Sequence, residues 1–205
     1  MNNLFPMFVK LNDRRVLVVG AGRVAEQKID ALLQTGAIIH VVARLARHGI
    51  QELAAKGSII LAERTFRNSD LDRVFMAVVA TSSSDLNLRI YREAQRRQIL
   101  CNVVDVPELC DFYYPAVVQR GDLQIAISTS GQSPSLAQQI RLRLEKQYGP
   151  GYAEWVAQLG KTRRDILVST LEPEEKRHLL QSLASEEAFK AALDKQRQII
   201  QRNIA

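Results

Sequence analysis

Cysteine, histidine and aromatic residues are scarce in this sequence of 205 residues. It contains two cysteines, three histidines and one tryptophan, and aromatic residues make up 6% of the total. Cys101 and Cys110 match neither a metal-ligand spacing nor a C-x-x-C motif, so we expect reduced thiols. His40, His48 and His178 form no spaced cluster. The sequence therefore predicts no metal site, and it gives little support to histidine-based nucleophilic catalysis.

Long apolar runs are lacking as well. No stretch approaches the roughly 20 apolar residues that a membrane-spanning helix needs, and the apolar residues 5–9 are too few for the core of a signal peptide. The proportions of hydrophobic residues, 46%, and charged residues, 24%, are typical of soluble globular proteins. We expect a cytoplasmic protein with no membrane contact.

Acidic residues are in the minority, and the formal net charge is +6. A basic excess often accompanies nucleic-acid binding, but no recognition-helix or zinc-finger pattern is present and the aromatics are not interleaved with basic residues. The same excess would attract a small molecule that carries many carboxylates. Charge alone does not choose between these partners, and the missing motifs make nucleic acid the weaker hypothesis.

The chain is organised around a glycine-rich segment, residues 15–29. An apolar, β-branched run suits a buried strand, and it is followed by G-x-G-x-x-A, formed by Gly20, Gly22 and Ala25, and by apolar residues at helical spacing. In a dinucleotide-binding βα unit, the first glycine permits a tight turn, the second lets a pyrophosphate approach the backbone, and the third small residue packs the helix on the strand. The alternative is a tight strand-to-helix turn without a ligand.

Strands and helices alternate through the first half of the chain. Hydrophobic periodicity predicts strands at 15–19, 37–43, 58–62, within 72–81 and at 99–104, with helices between them. The first helix would end at Gly36, and the helix over 85–98 would turn Leu88, Tyr91 and Ala94 inward, with Ser84 as a candidate cap. The alternation predicts an α/β fold, a Rossmann-type doubly wound parallel sheet.

The pattern changes after Tyr114. Residues 116–128 predict a β-hairpin with its turn at Gly121, and Ser133 caps a following helix with Pro134 at its first position. A hairpin plus one helix buries too little apolar surface to be stable alone. We therefore expect a Rossmann domain (1–113), a dimerisation segment (114–150) that forms a homodimer, and a helical C-terminal part (151–205).

Three predicted strand ends carry candidate chemical groups. An acidic residue about twenty positions past the glycines selects NAD, but this chain has Arg44 and Leu45 there; an arginine suits the 2′-phosphate of NADP, or it is a solvated loop residue. Thr81 ends the fourth strand, where a hydroxyl suits a nicotinamide ribose. Asp105 ends the fifth and is a candidate general base beside the nicotinamide; the alternative is an ordinary turn aspartate.

These motifs occur in one order in a known family. The segments V-V-G-A-G-R-V-A-E-Q-K (18–28), C-N-V-V-D (101–105) and I-S-T-S-G-Q-S-P (127–134) resemble the precorrin-2 dehydrogenase family, which includes the N-terminal module of sirohaem synthase and its stand-alone relatives. The resemblance implies NAD-dependent oxidation of precorrin-2, a polycarboxylate, to sirohydrochlorin. It also implies a homodimer. Because some members insert iron to give sirohaem, ferrous iron is a second candidate substrate.

The resemblance also assigns roles to residues. The essential aspartate of the family falls on Asp105. Nucleotide contacts, together with the hydroxyl after strand four, fall on Gly20, Gly22, Arg23, Val24, Ala25, Arg44, Leu45 and Thr81. Candidate contacts to the substrate in the matching motifs are Asn102, Ser128 and Thr129. Arg120 and Arg141 are candidates because of their charge, which suits the carboxylates of precorrin-2.

Two departures keep alternatives open. Many relatives have proline where Arg44 stands, so the preference between NAD and NADP stays open. Thr129 replaces a serine, which affects a substrate contact or phosphorylation known in some relatives. The rival hypothesis is a non-catalytic NAD(P)-sensing Rossmann module, although such modules usually keep the acidic ribose reader that is missing here.

Overall fold

The computed structural model of the chain describes residues 4–194, which form two compact units that divide between Tyr114 and Pro115. The first unit is built on a five-stranded sheet in the order β3-β2-β1-β4-β5, with every neighbouring pair parallel. Its strands are β1 (Arg15–Val19), β2 (Ile38–Ala43), β3 (Ile60–Glu63), β4 (Met76–Val79) and β5 (Leu100–Val103). The predicted Rossmann-type doubly wound sheet is confirmed.

Three helices cross between the strands: α1 (Arg23–Leu33), α2 (His48–Ala55) and α3 (Ser84–Arg96). Strand β1 shows why the core has two layers. Val16 and Val18 belong to one buried cluster, and Leu17 and Val19 belong to another. Because successive residues of a strand point to opposite faces, this continuous apolar run is buried on both sides of the sheet.

The chain order reverses beside β1. Strands β2 and β3 lie on one side of it, and β4 and β5 lie on the other. Ligands of open parallel sheets bind outside the carboxyl ends of the strands at such a switch point. The register aligns Val19 with Val79, and Val79 with Val103, so the loops after β1, β4 and β5 leave the sheet at one edge.

Two helix details differ from the sequence predictions. Helix α1 ends at Leu33, three residues before Gly36, which adopts the left-handed conformation at φ +71° in the following turn. Helix α3 is capped by the hydroxyl of Ser83, which accepts a hydrogen bond from the backbone N–H of Leu86, and not by Ser84.

The inward face of α3 agrees with the expected one in part, because Ala94 is buried and Tyr91 packs against the cluster that contains Leu17. The buried residues of α3 are Asn87, Ile90, Glu93 and Ala94, whereas Leu88 and Tyr91 are only half-buried. Polar residues are buried where they have partners, and these do: the carboxylate of Glu93, for example, accepts hydrogen bonds from Arg96 and Arg97. Hydrophobic periodicity alone does not detect such partners.

The second unit contains the antiparallel hairpin β6 (Ala116–Arg120) and β7 (Leu123–Ile127), followed by α4 (Pro134–Gln147), α5 (Gly151–Val168) and α6 (Pro173–Leu183). Residues 186–194 are also helical. The predicted cap of α4 is confirmed, because the hydroxyl of Ser133 accepts a hydrogen bond from the N–H of Leu136 at 3.2 Å. Among residues 4–194, no helix is long and apolar enough to cross a membrane.

Candidate functional site

The glycine loop joins β1 to α1 in a conformation that needs its first glycine. Gly20 has φ +107°, and a Cβ at this position would lie 2.2 Å from the carbonyl oxygen of Ala80. Its N–H donates to the carbonyl of Val42 at 2.9 Å. Any side chain at Gly20 would therefore collide with the residue after β4, which is why this tight turn requires glycine.

The second glycine faces open space. A Cβ at Gly22 would have no atom within 4 Å, and its φ of −84° is accessible to any residue. Gly22 is also the N-cap of α1 but has no side chain to accept a hydrogen bond from the first-turn amides. The N-terminus of α1 thus presents uncapped N–H groups and a positive dipole end toward this space, which suits a phosphate group.

The loop after β2 lies against the glycine loop. The N–H of Arg47 donates to the carbonyl of Ala21 at 3.2 Å, and its side chain pairs with Glu26 of α1 at 2.9 Å. The predicted ribose-end residues Arg44 and Leu45 precede this anchor, and both are exposed, Leu45 to 81%. An exposed leucine beside the glycine loop is an apolar surface on which an adenine ring could lie.

Thr81 is held in place by a buried amide. Its hydroxyl donates to Oδ1 of Asn87 at 2.6 Å, and Nδ2 of Asn87 donates back to the carbonyl of Thr81 at 3.2 Å. Asn87 is only 7% exposed. The sequence analysis missed Asn87; the available signal was an asparagine on the apolar side of an amphipathic helix, next to the end of a strand.

Asp105 has an unusual backbone conformation. The N–H of Val104 continues the pairing of β4 and β5 by donating to Val79, and the N–H of Val106 closes a turn on the carbonyl of Val103. Inside this turn Asp105 has φ +63°, in the left-handed region, and its side chain is exposed. Aspartate is among the residues that adopt this conformation most readily, and Asp13 has it as well, at φ +59°.

The buried amide of Asn102 is engaged within the protein. Nδ2 donates to the carbonyl of Phe112 at 2.8 Å and lies 3.3 Å from the sulfur of Cys110. These contacts tie the segment after β5 back onto that strand, and they use the donor group that a substrate contact would need. The role of Asn102 as a substrate contact stays a prediction.

A lysine and a tyrosine form a contact near Asp105 that the sequence analysis also missed. Nζ of Lys28, on α1, lies 3.7 Å from the ring centroid of Tyr114. Burial lowers the pKa of Lys28, and the carboxylate of Asp105 partly offsets this by electrostatic attraction. The signal in the sequence was the spacing of Lys28, three residues after Ala25 and four after Val24. This spacing puts Lys28 on the same side of α1 as these two residues of the first turn.

The predicted substrate contacts of the second unit have partners within that unit. Arg120 donates from Nε to the carbonyl of Tyr148 at 2.9 Å, at the C-terminal end of α4. Arg141 pairs with Glu145. The hydroxyls of Ser128 and Thr129 accept hydrogen bonds from the N–H groups of residues 130 and 133. Within residues 4–194, no three His, Cys, Asp or Glu residues are grouped closely enough to hold a metal ion.

Taken together, the carboxyl edge of the sheet holds a bare glycine loop, an anchored hydroxyl at Thr81 and an exposed carboxylate at Asp105. The glycine loop can bind a pyrophosphate, and Asp105 can accept a proton. Asp105 and Thr81 each stand two residues past the registered pair of Val103 and Val79, on neighbouring strands.

Comparison with known proteins agrees with this geometry. A family model described as "Putative NAD(P)-binding" matches residues 7–116, and a second, "Sirohaem biosynthesis protein central", matches residues 120–147. Among solved structures, "SirC, precorrin-2 dehydrogenase" superimposes with a TM-score of 0.81 at 31% identity, covering 97% of this chain and 98% of that one.

Curated relatives are longer than this chain. "Siroheme synthase 1" of Serratia proteamaculans is 37% identical over 161 residues, which are 78% of this chain and 34% of the relative. "Siroheme synthase" of Methylococcus capsulatus is 35% identical over 188 residues, 92% of this chain and 40% of the relative. The chain therefore spans between a third and two fifths of the length of these relatives.

Proposed function

Because the chain belongs to the precorrin-2 dehydrogenase family, with a nicotinamide-cofactor-binding Rossmann unit, we propose that it oxidises precorrin-2 to sirohydrochlorin with NAD⁺ in sirohaem biosynthesis. The observation that supports this most is Asp105, an exposed carboxylate in the left-handed conformation at the carboxyl edge of the sheet. Its side chain is exposed two residues past Val103, the last residue of β5, where ligands of parallel sheets bind.

The residues that would hold the cofactor are those around the glycine loop. The open space at Gly22 and the uncapped amides of α1 would receive the pyrophosphate. Exposed Val24 and Leu45 would cover the adenosine end, with Arg23 and Arg44 beside them, and Thr81 would contact the nicotinamide ribose. When bound, NAD⁺ supplies the hydride acceptor. Because an arginine at position 44 would also suit the 2′-phosphate of NADP⁺, the activities with NAD⁺ and NADP⁺ are to be compared.

The protein's own contribution is positioning and proton transfer. Oxidation of precorrin-2 removes a hydride and a proton, and the carboxylate of Asp105 accepts the proton at the macrocycle. Asn102 and, from the second unit, Arg120, Arg141, Ser128 and Thr129 are the candidate substrate contacts. For Arg120 and Arg141 a contact requires a change in their present partners, since both are paired inside their own unit.

We also propose that residues 114–150 form the dimerisation segment, between a Rossmann domain of 1–113 and a helical part of 151–205. The support is apolar exposure: Val117, Leu136 and Leu142 are all more than a third exposed in this segment. A second copy of the chain would cover them.

The test is to incubate the protein anaerobically with precorrin-2 and NAD⁺ and to record NADH and sirohydrochlorin by absorbance. We expect equal amounts of both products to form. Parallel reactions with NADP⁺ and with added ferrous iron measure cofactor preference and sirohaem formation. Binding of NAD⁺ without any turnover would instead support a nucleotide-sensing module.

A further inference from the structure

A partly buried cation without a partner lies next to the proposed general base. Lys28 is half-buried, and its ammonium packs over the ring of Tyr114. Within residues 4–194, Lys28 has no carboxylate within the 4.0 Å of an ion pair and makes no hydrogen bond. A half-buried ammonium whose contact is an aromatic ring can still gain from a carboxylate, so this position can accept an anionic group of a ligand.

Other lysines of the chain show the contrast. Lys56 and Lys190 are mostly exposed, yet they pair with Glu52 at 3.9 Å and with Glu186 at 2.9 Å. Lys176, which like Lys28 is partly buried, donates to a backbone carbonyl at 3.2 Å. Exposed lysines such as Lys56 and Lys190 gain little from their pairs because water solvates them well. Lys28 is partly buried, and its contact is an aromatic ring.

The nearest acidic influence on Lys28 comes from Asp105. The carboxylate is near enough for its electrostatic attraction to raise the pKa of the Lys28 ammonium, and within residues 4–194 the two side chains form no ion pair. Lys28 therefore leaves the carboxylate of Asp105 available to accept a proton. A ligand with a carboxylate group close to its reacting carbon would contact both residues at once.

The contact with Tyr114 holds the ammonium in this position. The Tyr114 hydroxyl is buried without a hydrogen-bond partner, and burial raises the pKa of Tyr114 to about 12, so the phenol stays neutral. A neutral ring attracts a cation through its electron-rich face. Since the first-turn amides of α1 are available for a pyrophosphate, Lys28 in the second turn is left for a different anion.

We propose that Lys28 binds a carboxylate of the tetrapyrrole substrate and thereby sets which part of the macrocycle faces Asp105. This inference rests on the proposed function and adds a substrate-binding residue to it. Lys28 is a specificity determinant rather than a proton carrier. Its loss weakens the binding of the polycarboxylate and leaves the cofactor site unchanged.

The experiment compares the full-length wild type with Lys28→Met, Lys28→Arg and the matched surface variant Lys56→Met. Sirohydrochlorin is titrated into each protein and followed by absorbance, and KM is measured for precorrin-2 and for NAD⁺. For Lys28→Met we expect the Kd of sirohydrochlorin and the KM of precorrin-2 to rise roughly 10–100-fold, the loss of one charge-assisted contact. Lys28→Arg should recover most of the affinity, and Lys56→Met should match the wild type.

Thermal melting separates binding from a structural role. Removal of an unpartnered buried charge should leave the Tm of Lys28→Met equal to that of the wild type or raise it, whereas a purely structural lysine would lower it. Unchanged sirohydrochlorin affinity in Lys28→Met, or a higher KM for NAD⁺ alone, would overturn the inference and leave the proposed function standing. No sirohydrochlorin binding by the wild type would overturn both.

Discussion

The two units of the chain differ sharply in how they bury apolar side chains. In the first unit, all four residues of β4 and four of the five in β1 are buried, and two clusters fill both faces of the sheet. In the described part of the second unit, the buried hydrophobic residues are Val118, Ala137 and Ile166.

The second unit gains its packing from aromatic contacts instead. The ring centroid of Tyr152 lies 4.1 Å from that of Phe189, in a tilted arrangement. It lies 5.1 Å from the centroid of Tyr148 and 5.5 Å from that of Trp155. Both units leave large apolar residues exposed, among them Leu45 at 81% and Val168 at 85%. What distinguishes them is the buried core, which is large in the first unit and small in the described part of the second, where the proposed dimer interface would add to the packing.

The largest expected effect is on the core of the first unit. Replacement of fully buried Ile29 by alanine should lower the free energy of unfolding by about 2–5 kcal/mol. The matched change at Ile166, in the thinner core of the second unit, should cost about half as much because its surroundings can collapse into the space. Urea unfolding followed by circular dichroism measures both. Equal losses would remove the contrast between the two cores.

The glycine loop separates stability from binding within the first unit. Gly20→Ala should destabilise the protein by about 1–3 kcal/mol, because its Cβ meets Ala80 and its φ is positive. Gly22→Ala should change stability by less than about 0.5 kcal/mol, but it should weaken NAD⁺ binding at least roughly tenfold, since its Cβ occupies the space for the pyrophosphate. Calorimetric titration with NAD⁺ and thermal melting test the pair. A Gly22→Ala protein that binds NAD⁺ normally would show that the open space is not the phosphate site.

The exposed face of α4 provides a test of the proposed dimer. Leu136→Glu places a charge on the exposed face of α4 and should shift the protein from dimer to monomer in analytical ultracentrifugation. Leu179→Glu makes the same change on α6, outside the dimerisation segment, and should leave the dimer intact. Trp155, the single tryptophan, lies in the second unit, so its fluorescence should report a concentration-dependent unfolding midpoint in the wild type and in Leu179→Glu, but not in Leu136→Glu. A monomeric wild type would contradict the proposal.

The smallest expected effect concerns acid stability. Hydrogen bonds from Arg96 and Arg97 lower the pKa of Glu93 from 4.5 to about 2. A lowered pKa stabilises the fold above the ordinary value, and this contribution is lost as pH falls from about 4.5 toward 2. The Tm of Glu93→Gln should therefore depend less on pH in this window than that of the wild type. The control is Glu174→Gln, which removes an exposed ion pair with Arg177 on α6. Identical dependence of Tm on pH in all three proteins would refute the lowered pKa of Glu93.

Sequence periodicity was sufficient for the elements that depend on local pattern. The apolar run of β1, the glycine loop, and Ser133 with Pro134 at the start of α4 each carry their signal within a few neighbouring residues. The alternation of strands and helices then restricts the topology to a parallel sheet.

What the sequence did not predict depends on contacts between distant residues. The contact between Lys28 and Tyr114 forms only when the segment after β5 folds back beside α1. Arg120 was expected to meet a substrate because it is cationic, yet the backbone at the end of α4 accepts its hydrogen bonds. The hydrogen bonds between Thr81 and Asn87 depend on how α3 packs beside the end of β4. In each case a polar group found its partner through tertiary packing rather than through neighbouring sequence.

The proposed role of Asp105 as general base is tested by comparing the turnover of Asp105→Asn with that of Asp13→Asn. Both aspartates have the left-handed conformation, at φ +63° and +59°, so the two variants impose the same change on matched backbones. If Asp105 is the general base, Asp105→Asn should oxidise precorrin-2 roughly 10²–10⁴-fold more slowly with unchanged NAD⁺ affinity, while Asp13→Asn keeps the wild-type rate. A wild-type rate in Asp105→Asn would contradict the account.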